Sequence, residues 1–422
     1  MKYDLKEPIC QGYLRPDGKK GIRNKVLVIY TVDCSWHVAV KTSEYFMDNG
    51  HDVDVVGQHS CYHHQDRVRA LLSFCIHPNV GAVLVIGAGC ENTRPEDICA
   101  FARKHGRIAE YFFLQEVGGT EKGLAKAKEI VYSMIDRLEK ETPRVPMYID
   151  ELVISGKCGG SDFTSGLAGN PLVGSLFDRL VDAGATCMFA EVNEALGLKE
   201  PFIERGVSEQ AKKEIAEVFD KAEISCKMVN HFFIGRGNVE GGLTSIEEKS
   251  LSSSSKSGTR PIQGVLKVSQ QPPRKGLWIF DETPDEFFRY KLPNESNKGG
   301  DCAVIMLMNT AGCQVNLLIT GRGHCCGTGI SPTIKITGNP RTYAKMSDDI
   351  DINAGQLLTG EKTMKEMTDE LLECIIDVCR GKAANADRLG HRENEMWSVA
   401  QAFGWNSAME EMEQESCGNR SF

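Results

Sequence analysis

Apolar residues in this chain gather into short unbroken runs separated by longer stretches of mixed periodicity. Lys25 to Thr31 (KVLVIYT), Val80 to Ala88 (VGAVLVIGA) and Glu151 to Ser155 (ELVIS) are the clearest runs. An unbroken run predicts a strand buried on both faces, because a half-exposed strand alternates apolar and polar positions. Helical patterns fall between them at Arg67 to Phe74, Pro95 to Arg107 and Lys122 to Thr142, the last with charges at i,i+4. Strands alternating with helices predict α/β architecture with parallel sheets covered on both sides, whose ligands meet the carboxyl ends of the strands.

A second α/β unit is predicted to start near Glu151. It comprises a helix around Pro171 to Ala183, the strand Thr186 to Glu191, a helix from Ser208 to Phe219, strands near Gly264 to Val268 and Gly276 to Phe280, then Asp301 to Ile319 and Thr333 to Thr337. The serine-rich SLSSSSKSG at Ser250 to Gly258 reads as a mobile loop. Met367, Leu371, Leu372, Ile375, Ile376 and Val378 mark an amphipathic helix within Lys362 to Arg380. The expected organisation is a lead-in over 1–24, a first α/β lobe over 25–148, a second, catalytic lobe over 149–390 and a tail over 391–422. Both lobes are expected to be Rossmann-like, with the active site between them.

Composition adds exclusions. A formal charge of -9 opposes non-specific nucleic-acid binding, which needs a basic face. No run approaches about 18 apolar residues and the N-terminus lacks the apolar core of a signal peptide, so a cytoplasmic protein without membrane contact is expected. The 16 cysteines then read as reduced thiols, metal ligands or small buried residues.

Four turns concentrate candidate chemistry. Ile319 to Thr337 (ITGRGHCCGTGISPTIKIT) encloses Arg322, His324, Cys325, Cys326 and Lys335 in a glycine-rich bend, where backbone amides approach a ligand closely. His59 and Cys61, after the run Val53 to Val56, suit iron or zinc, or belong to a solvated loop. Cys90 and Glu91 follow the strongest apolar run, where an α/β sheet places its chemistry, or form a relaxed strand end capped by Asn92. The turn Lys157 to Asp162 (KCGGSD) offers backbone amides to an oxyanion without matching a nucleotide-binding fingerprint. Glu191, Asn238 and the group Asp348, Asp349, Asp351 and Asn353 are further candidates; the last group binds Mg²⁺ or Ca²⁺, or is a capped turn.

Seven ordered blocks resemble the UxaA family of altronate and galactarate dehydratases: Gly12 to Val28, His77 to Glu91, Gln115 to Thr120, Lys157 to Asp162, Gly241 to Leu251, Thr320 to Asn339 and Asp348 to Gly355. The resemblance implies a metal-dependent lyase that removes water from a 2,3-dihydroxy sugar acid, giving a 2-keto-3-deoxy acid. The expected metal is ferrous iron, with Mn²⁺ or Mg²⁺ as alternatives, held by His59, Cys90 and Cys158. Catalytic roles fall to Glu91, Glu191, His324, Arg322 and Lys335. Substrate contacts fall to Gly159, Gly160, Ser161, Asp162, Asn238, Thr320, Gly321, Gly323 and Asn353. The family's usual N-terminal small domain is not recognised before Gly12, so a separate small subunit is the expected partner, with self-association of this chain. Family members that act as the large subunit of sulfolactate sulfo-lyases make sulfite release the alternative reaction. A non-catalytic sugar-acid binding protein is the alternative of another class. The chain departs from the family pattern at His59 to His64 (HSCYHH), at Ala354, which replaces a cysteine, and at Asp281 to Asp285 (DETPD).

Overall fold

A computed structural model describes residues 4–62, 65–228, 234–283 and 300–394. His63, His64, Pro284, Asp285 and the tail after residue 394 lie outside the described residues. The chain divides into two compact units, one built on Gly12–Val145 and the other on Met1–Gln11 with Pro146–Glu395.

Two short strands, β1 (Cys10–Leu14) and β2 (Lys20–Gly21), pair antiparallel. The sheet of the smaller unit follows, with β3 (Lys25–Tyr30), β4 (Val53–Gly57), β5 (Val80–Gly87) and β6 (Ile108–Phe113) in the parallel order β4-β3-β5-β6. Every residue of β3 and β5 is buried, which is why their sequences read as continuous apolar runs. Helices Asp33–Asp48 and Thr120–Glu141 turn Val38, Phe46, Ala127, Val131 and Met134 onto Val26, Val28, Leu84 and Ile86. Burial of a side chain such as Phe46 contributes about 1.5–3 kcal/mol. Strand β6 has no counterpart in the sequence reading, because IAEYFF interrupts its apolar run with Glu110. Chain connections reverse direction between β3 and β5, so the crevice of this unit opens at the carboxyl ends of those two strands.

After β7 (Arg144–Met147), the larger unit contains β8 (Val153–Cys158), β9 (Thr186–Phe189), β10 (Ile262–Lys267), β11 (Gly276–Asp281), β12 (Val315–Thr320), β13 (Thr333–Thr337) and β14 (Ile352–Asn353). They form one parallel sheet in the order β10-β11-β9-β8-β12-β13-β14, with its switch point between β8 and β12. Strands β12 and β13 are parallel neighbours, Thr320 opposite Thr337, so the glycine-rich segment between them is a crossover made without a helix. The amphipathic helix is present as Met364–Cys379, started by a Thr363/Glu366 capping box and buried at all six positions that the periodicity marks.

The serine-rich segment departs from expectation. It is a helix over Ile246–Ser254 continuing into a turn at Ser255–Ser257, with Ser252, Ser253, Lys256 and Ser257 buried. The buried Ser257 donates its hydroxyl to the Ser254 carbonyl and the buried Ser253 accepts from Lys256, which offsets the cost of burying them, and the half-buried Ser254 and Ser255 also donate to carbonyls three residues back. Their small size also allows close packing. A Cβ on Gly166 would lie 2.8 Å from Ser252, and one on Gly174 2.2 Å from the Ser255 carbonyl.

Candidate active site

The switch point of the larger sheet carries a buried network of charge. Lys157 is the penultimate residue of β8 and 1% exposed; its Nζ lies 2.9 Å from Glu191 Oε1 and 2.5 Å from Asp301 Oδ1. Glu191 follows β9 in a left-handed conformation with φ of 75°, which costs a non-glycine residue about 1–3 kcal/mol and turns its carboxylate back toward β8. Its Oε2 accepts from Lys256 Nζ at 3.1 Å and from the Cys158 amide at 3.1 Å. Glu194 pairs with Lys249 at 3.1 Å, while Lys256 also donates to Ser253 Oγ at 2.8 Å and reaches Cys158 Sγ at 3.4 Å. Asp301 opens the helix Asp301–Asn309 and accepts from His324 Nε2 at 2.8 Å. The serine-rich helix thus delivers two ammonium groups into the site, and this is what its buried packing accomplishes.

Burial alone would raise the Glu191 carboxyl, but the ammoniums of Lys157 and Lys256 outweigh it and bring the group from 4.5 to about 2. Burial likewise opposes ionisation of Asp301, and Lys157 with the His324 hydrogen bond holds it well below the usual carboxylate range. Burial pushes the Cys158 thiol up to about 11 against the pull of Lys256. Because the folded-state value of Glu191 is depressed, its stabilisation is complete above the unfolded value near 4.5 and is lost as pH falls toward 2. A shift of this size corresponds to about 3 kcal/mol. The urea midpoint of the larger unit is therefore expected to fall steeply between about pH 5 and about pH 2.5; a midpoint constant over that range would contradict the pairing.

Cys158, Glu191 and Glu194 place one donor atom each within 4.8 Å of one another, close enough to hold one metal ion. Their charges argue the other way. Lys157, Lys249 and Lys256 already match Glu191, Glu194 and Asp301, so a divalent ion would have to displace an ammonium. Proximity is met and electrostatics is not, and no chemical step is assigned to a metal at this group.

The other predicted residues of this unit take varied places. His324 Nδ1 is buried without a hydrogen-bond partner among the described residues. Arg322 has a side chain 43% exposed, donating to the Gly237 carbonyl at 3.0 Å and meeting Glu240 at 3.3 Å. Lys335 is fully buried, 3.0 Å from His391 Nδ1 and 3.5 Å from Asp349. Asp162 accepts from the amides of Thr164 and Ser165 at Oδ1 and from Asn339 at Oδ2, so it braces the turn. Asn238 donates to the Ser161 carbonyl at 2.8 Å, Thr320 Oγ1 accepts from the Gly323 amide at 3.0 Å, and Asn353 accepts from the Gly355 amide. The Ser161 hydroxyl is buried with no partner among the described residues. Gly159 and Gly321 are required by contact, since a Cβ on them would lie 2.3 Å from Asp301 and 2.0 Å from Asp162. Gly160 and Gly323 adopt φ of 58° and 99°.

His59, Cys90 and Glu91 belong to the smaller unit, at the carboxyl ends of β4 and β5. Glu91 accepts from Thr31 Oγ1 at 2.7 Å and from the amides of Ala88 and Gly89, which ties it to its own turn. Both ring nitrogens of His59 are engaged, Nδ1 by Asp33 and Nε2 by Tyr30 Oη. Cys61 and Cys90 are exposed thiols on loops joined by the Asn92 amide donating to the Cys61 carbonyl at 2.9 Å. Glu194, Lys249, Lys256 and Asp301 were not singled out in the sequence. The one available signal was two lysines inside a serine run too polar for a core, and Asp301 at the start of an apolar helix.

Two parallel α/β sheets, with a paired Lys, Glu, Asp and His network at the switch point of the larger one, define an enzyme-like protein of the doubly wound class. The family model described as D-galactarate/altronate dehydratase, C-terminal, matches residues 149–402, and that for the second domain of D-galactarate dehydratase/altronate hydrolase matches residues 12–139. The chain belongs to the galactarate/altronate dehydratase family. It is 30% identical over 406 residues to the (2R)-sulfolactate sulfo-lyase subunit beta of Chromohalobacter salexigens, covering 92% of this chain and 97% of that protein. It is 29% identical over 415 residues to the altronate dehydratase of Bacillus subtilis, covering 93% and 78% respectively. With the galactarate dehydratase (L-threo-forming) of Escherichia coli it shares 31% identity over 334 residues, 75% of this chain and 59% of the relative. One of these relatives is named as a sulfo-lyase and two as dehydratases. No helix among the described residues is long and apolar enough to cross a membrane.

Proposed function

We propose that the chain is the large, catalytic subunit of a lyase that removes water from a 2,3-dihydroxy sugar acid of the altronate or galactarate type, yielding a 2-keto-3-deoxy acid in the cytoplasm. The carrying observation is His324, whose Nε2 is fixed by Asp301 while Nδ1 has no partner among the described residues. A buried carboxylate behind an imidazole orients the ring and stabilises the imidazolium that forms when the free nitrogen takes a proton. His324 Nδ1 therefore takes the C2 proton of the hydroxy acid and returns it toward the departing group at C3. Arg322, held among the described residues by a carbonyl and an exposed carboxylate, exchanges Glu240 for the substrate carboxylate. Lys157, Glu191 and Lys256 are taken up by their ion pairs with one another and with Asp301, and act as positioning residues that hold Asp301 and the KCGGSD turn. Lys335, through Asp349 and His391, positions the far side of the glycine-rich crossover.

The resemblance implies a divalent ion; His59 and Cys90 would hold ferrous iron in preference to Mn²⁺ or Mg²⁺, with His59 Nε2 exchanging its Tyr30 hydrogen bond for the ion. Such an ion supplies Lewis acidity toward a hydroxy-carboxylate. The name of the relative matched over 97% of its length, a subunit beta, supports assembly with a small subunit, and self-association of the large subunit is proposed with it. That same coverage supports a second reading, release of sulfite from 3-sulfolactate to give pyruvate. An anaerobic assay of the Fe²⁺-loaded chain with its small subunit, against altronate, galactarate and sulfolactate, tests both. Keto acid without sulfite is the expected result, keto acid with equal sulfite establishes the second reading, and neither product would leave a sugar-acid binding protein.

A further inference from the structure

The block Gly12 to Val28 plays no part in the site described above, yet it builds a cavity of about 260 Å³ inside the smaller unit. Gly81 near the start of β5 and Ile108 at the start of β6 line it, so it lies at the amino ends of the strands whose carboxyl ends carry Cys90 and Glu91. An eight-residue strand separates the two ends by roughly 25 Å. Two guanidiniums wall the cavity, Arg15 and Arg107, each only 4% exposed. Arg15 donates to the Pro78 carbonyl at 2.7 Å, Asn24 Oδ1 at 2.7 Å and the Arg23 carbonyl at 2.9 Å. Arg107 donates to the His105 and Ile76 carbonyls, and its Nε is buried without a partner among the described residues.

All of these acceptors are uncharged. Asp17, the acid whose charge both arginines feel, is taken by Lys19 at 3.5 Å, and Glu141 in the wall is held by Arg137 at 3.0 Å. Burial and the neighbouring Arg107 charge pull Arg15 down to about 9, and burial lowers Arg107 as well. Two buried like charges that share no carboxylate within ion-pair distance among the described residues are unfavourable unless an anion joins them. We infer that this cavity is a binding site for a small oxyanion, a phosphate or a monocarboxylate, seated between Arg15 and Arg107 at the edge of the sheet remote from Cys90 and Glu91. Its volume falls below that of typical cofactor pockets, which selects a small ligand.

Calorimetry of the full chain with inorganic phosphate and, separately, glycerate, at ionic strength fixed with sodium chloride, tests the site. One saturable site is expected, weakened at least roughly tenfold in Arg107→Gln and largely retained in Arg107→Lys. Hydrogen exchange on the unmodified chain needs no variant. The bound anion should slow exchange in peptides covering residues 13–24 and 104–110 and leave 86–92 unchanged. Binding by phosphate alone assigns a phosphoryl ligand, and binding by glycerate alone a carboxylate. Neither heat nor protection with either anion, or protection confined to 86–92, would overturn the inference.

Discussion

Replacing Lys157 by methionine is expected to destabilise the larger unit by about 3–5 kcal/mol, the range for breaking a buried ion pair from one side. Lys157 is 1% exposed and is the shared partner of Glu191 and Asp301, so its loss leaves the buried Glu191 carboxylate with Lys256 and the half-buried Asp301 with His324. Methionine matches the length of the stem, which keeps the cavity term small and isolates the charge. Urea unfolding followed by circular dichroism reads the effect as a lower midpoint at unchanged slope. A loss below about 1 kcal/mol is the behaviour of a solvent-exposed pair and would contradict the buried network.

How far the sequence announced this arrangement depended on burial. Strands β3 and β5 are covered on both faces, so their apolar runs were complete and their bounds fell within a residue of those observed. The helix Met364–Cys379 was equally legible, because a single apolar face and a capping box coincide there. The turn KCGGSD and the segment holding Arg322 and His324 were legible as glycine-rich strand ends, and both lie at the switch point between β8 and β12. What local pattern could not show was the partner of each charge. Lys256 meets Glu191 across 65 positions and Lys157 meets Asp301 across 144. The serine run misled for a physical reason, since a hydroxyl with a local partner, as Ser257 has in the Ser254 carbonyl and Ser253 in Lys256, can be buried while the composition still reads as linker. Asp162 was read as a substrate contact and Glu91 as catalytic, and each engages amides of its own turn.

The second large effect is expected at His324. Glutamine in its place sets an amide where Nε2 meets Asp301 and removes the imidazole that cycles a proton there. Loss of a positioned acid–base group typically lowers turnover about 10²–10⁴-fold. The fold should survive, because the side chain is partly exposed and its one polar partner among the described residues is Asp301. Substrate affinity should change little, since Arg322 and not His324 is assigned to the carboxylate. A parallel loss in kcat and kcat/KM would mark an interaction made in the transition state, whereas a rise in KM alone would mark ground-state binding.

The most direct test of the account is therefore the turnover of His324→Gln beside the unmodified chain, with the small subunit present and with the acid that the product assay identifies. The account predicts a fall in kcat of at least about 100-fold at an unchanged urea midpoint. A variant that folds normally and turns over within a few-fold of the parent would contradict the assignment of catalysis to the switch point of the larger sheet.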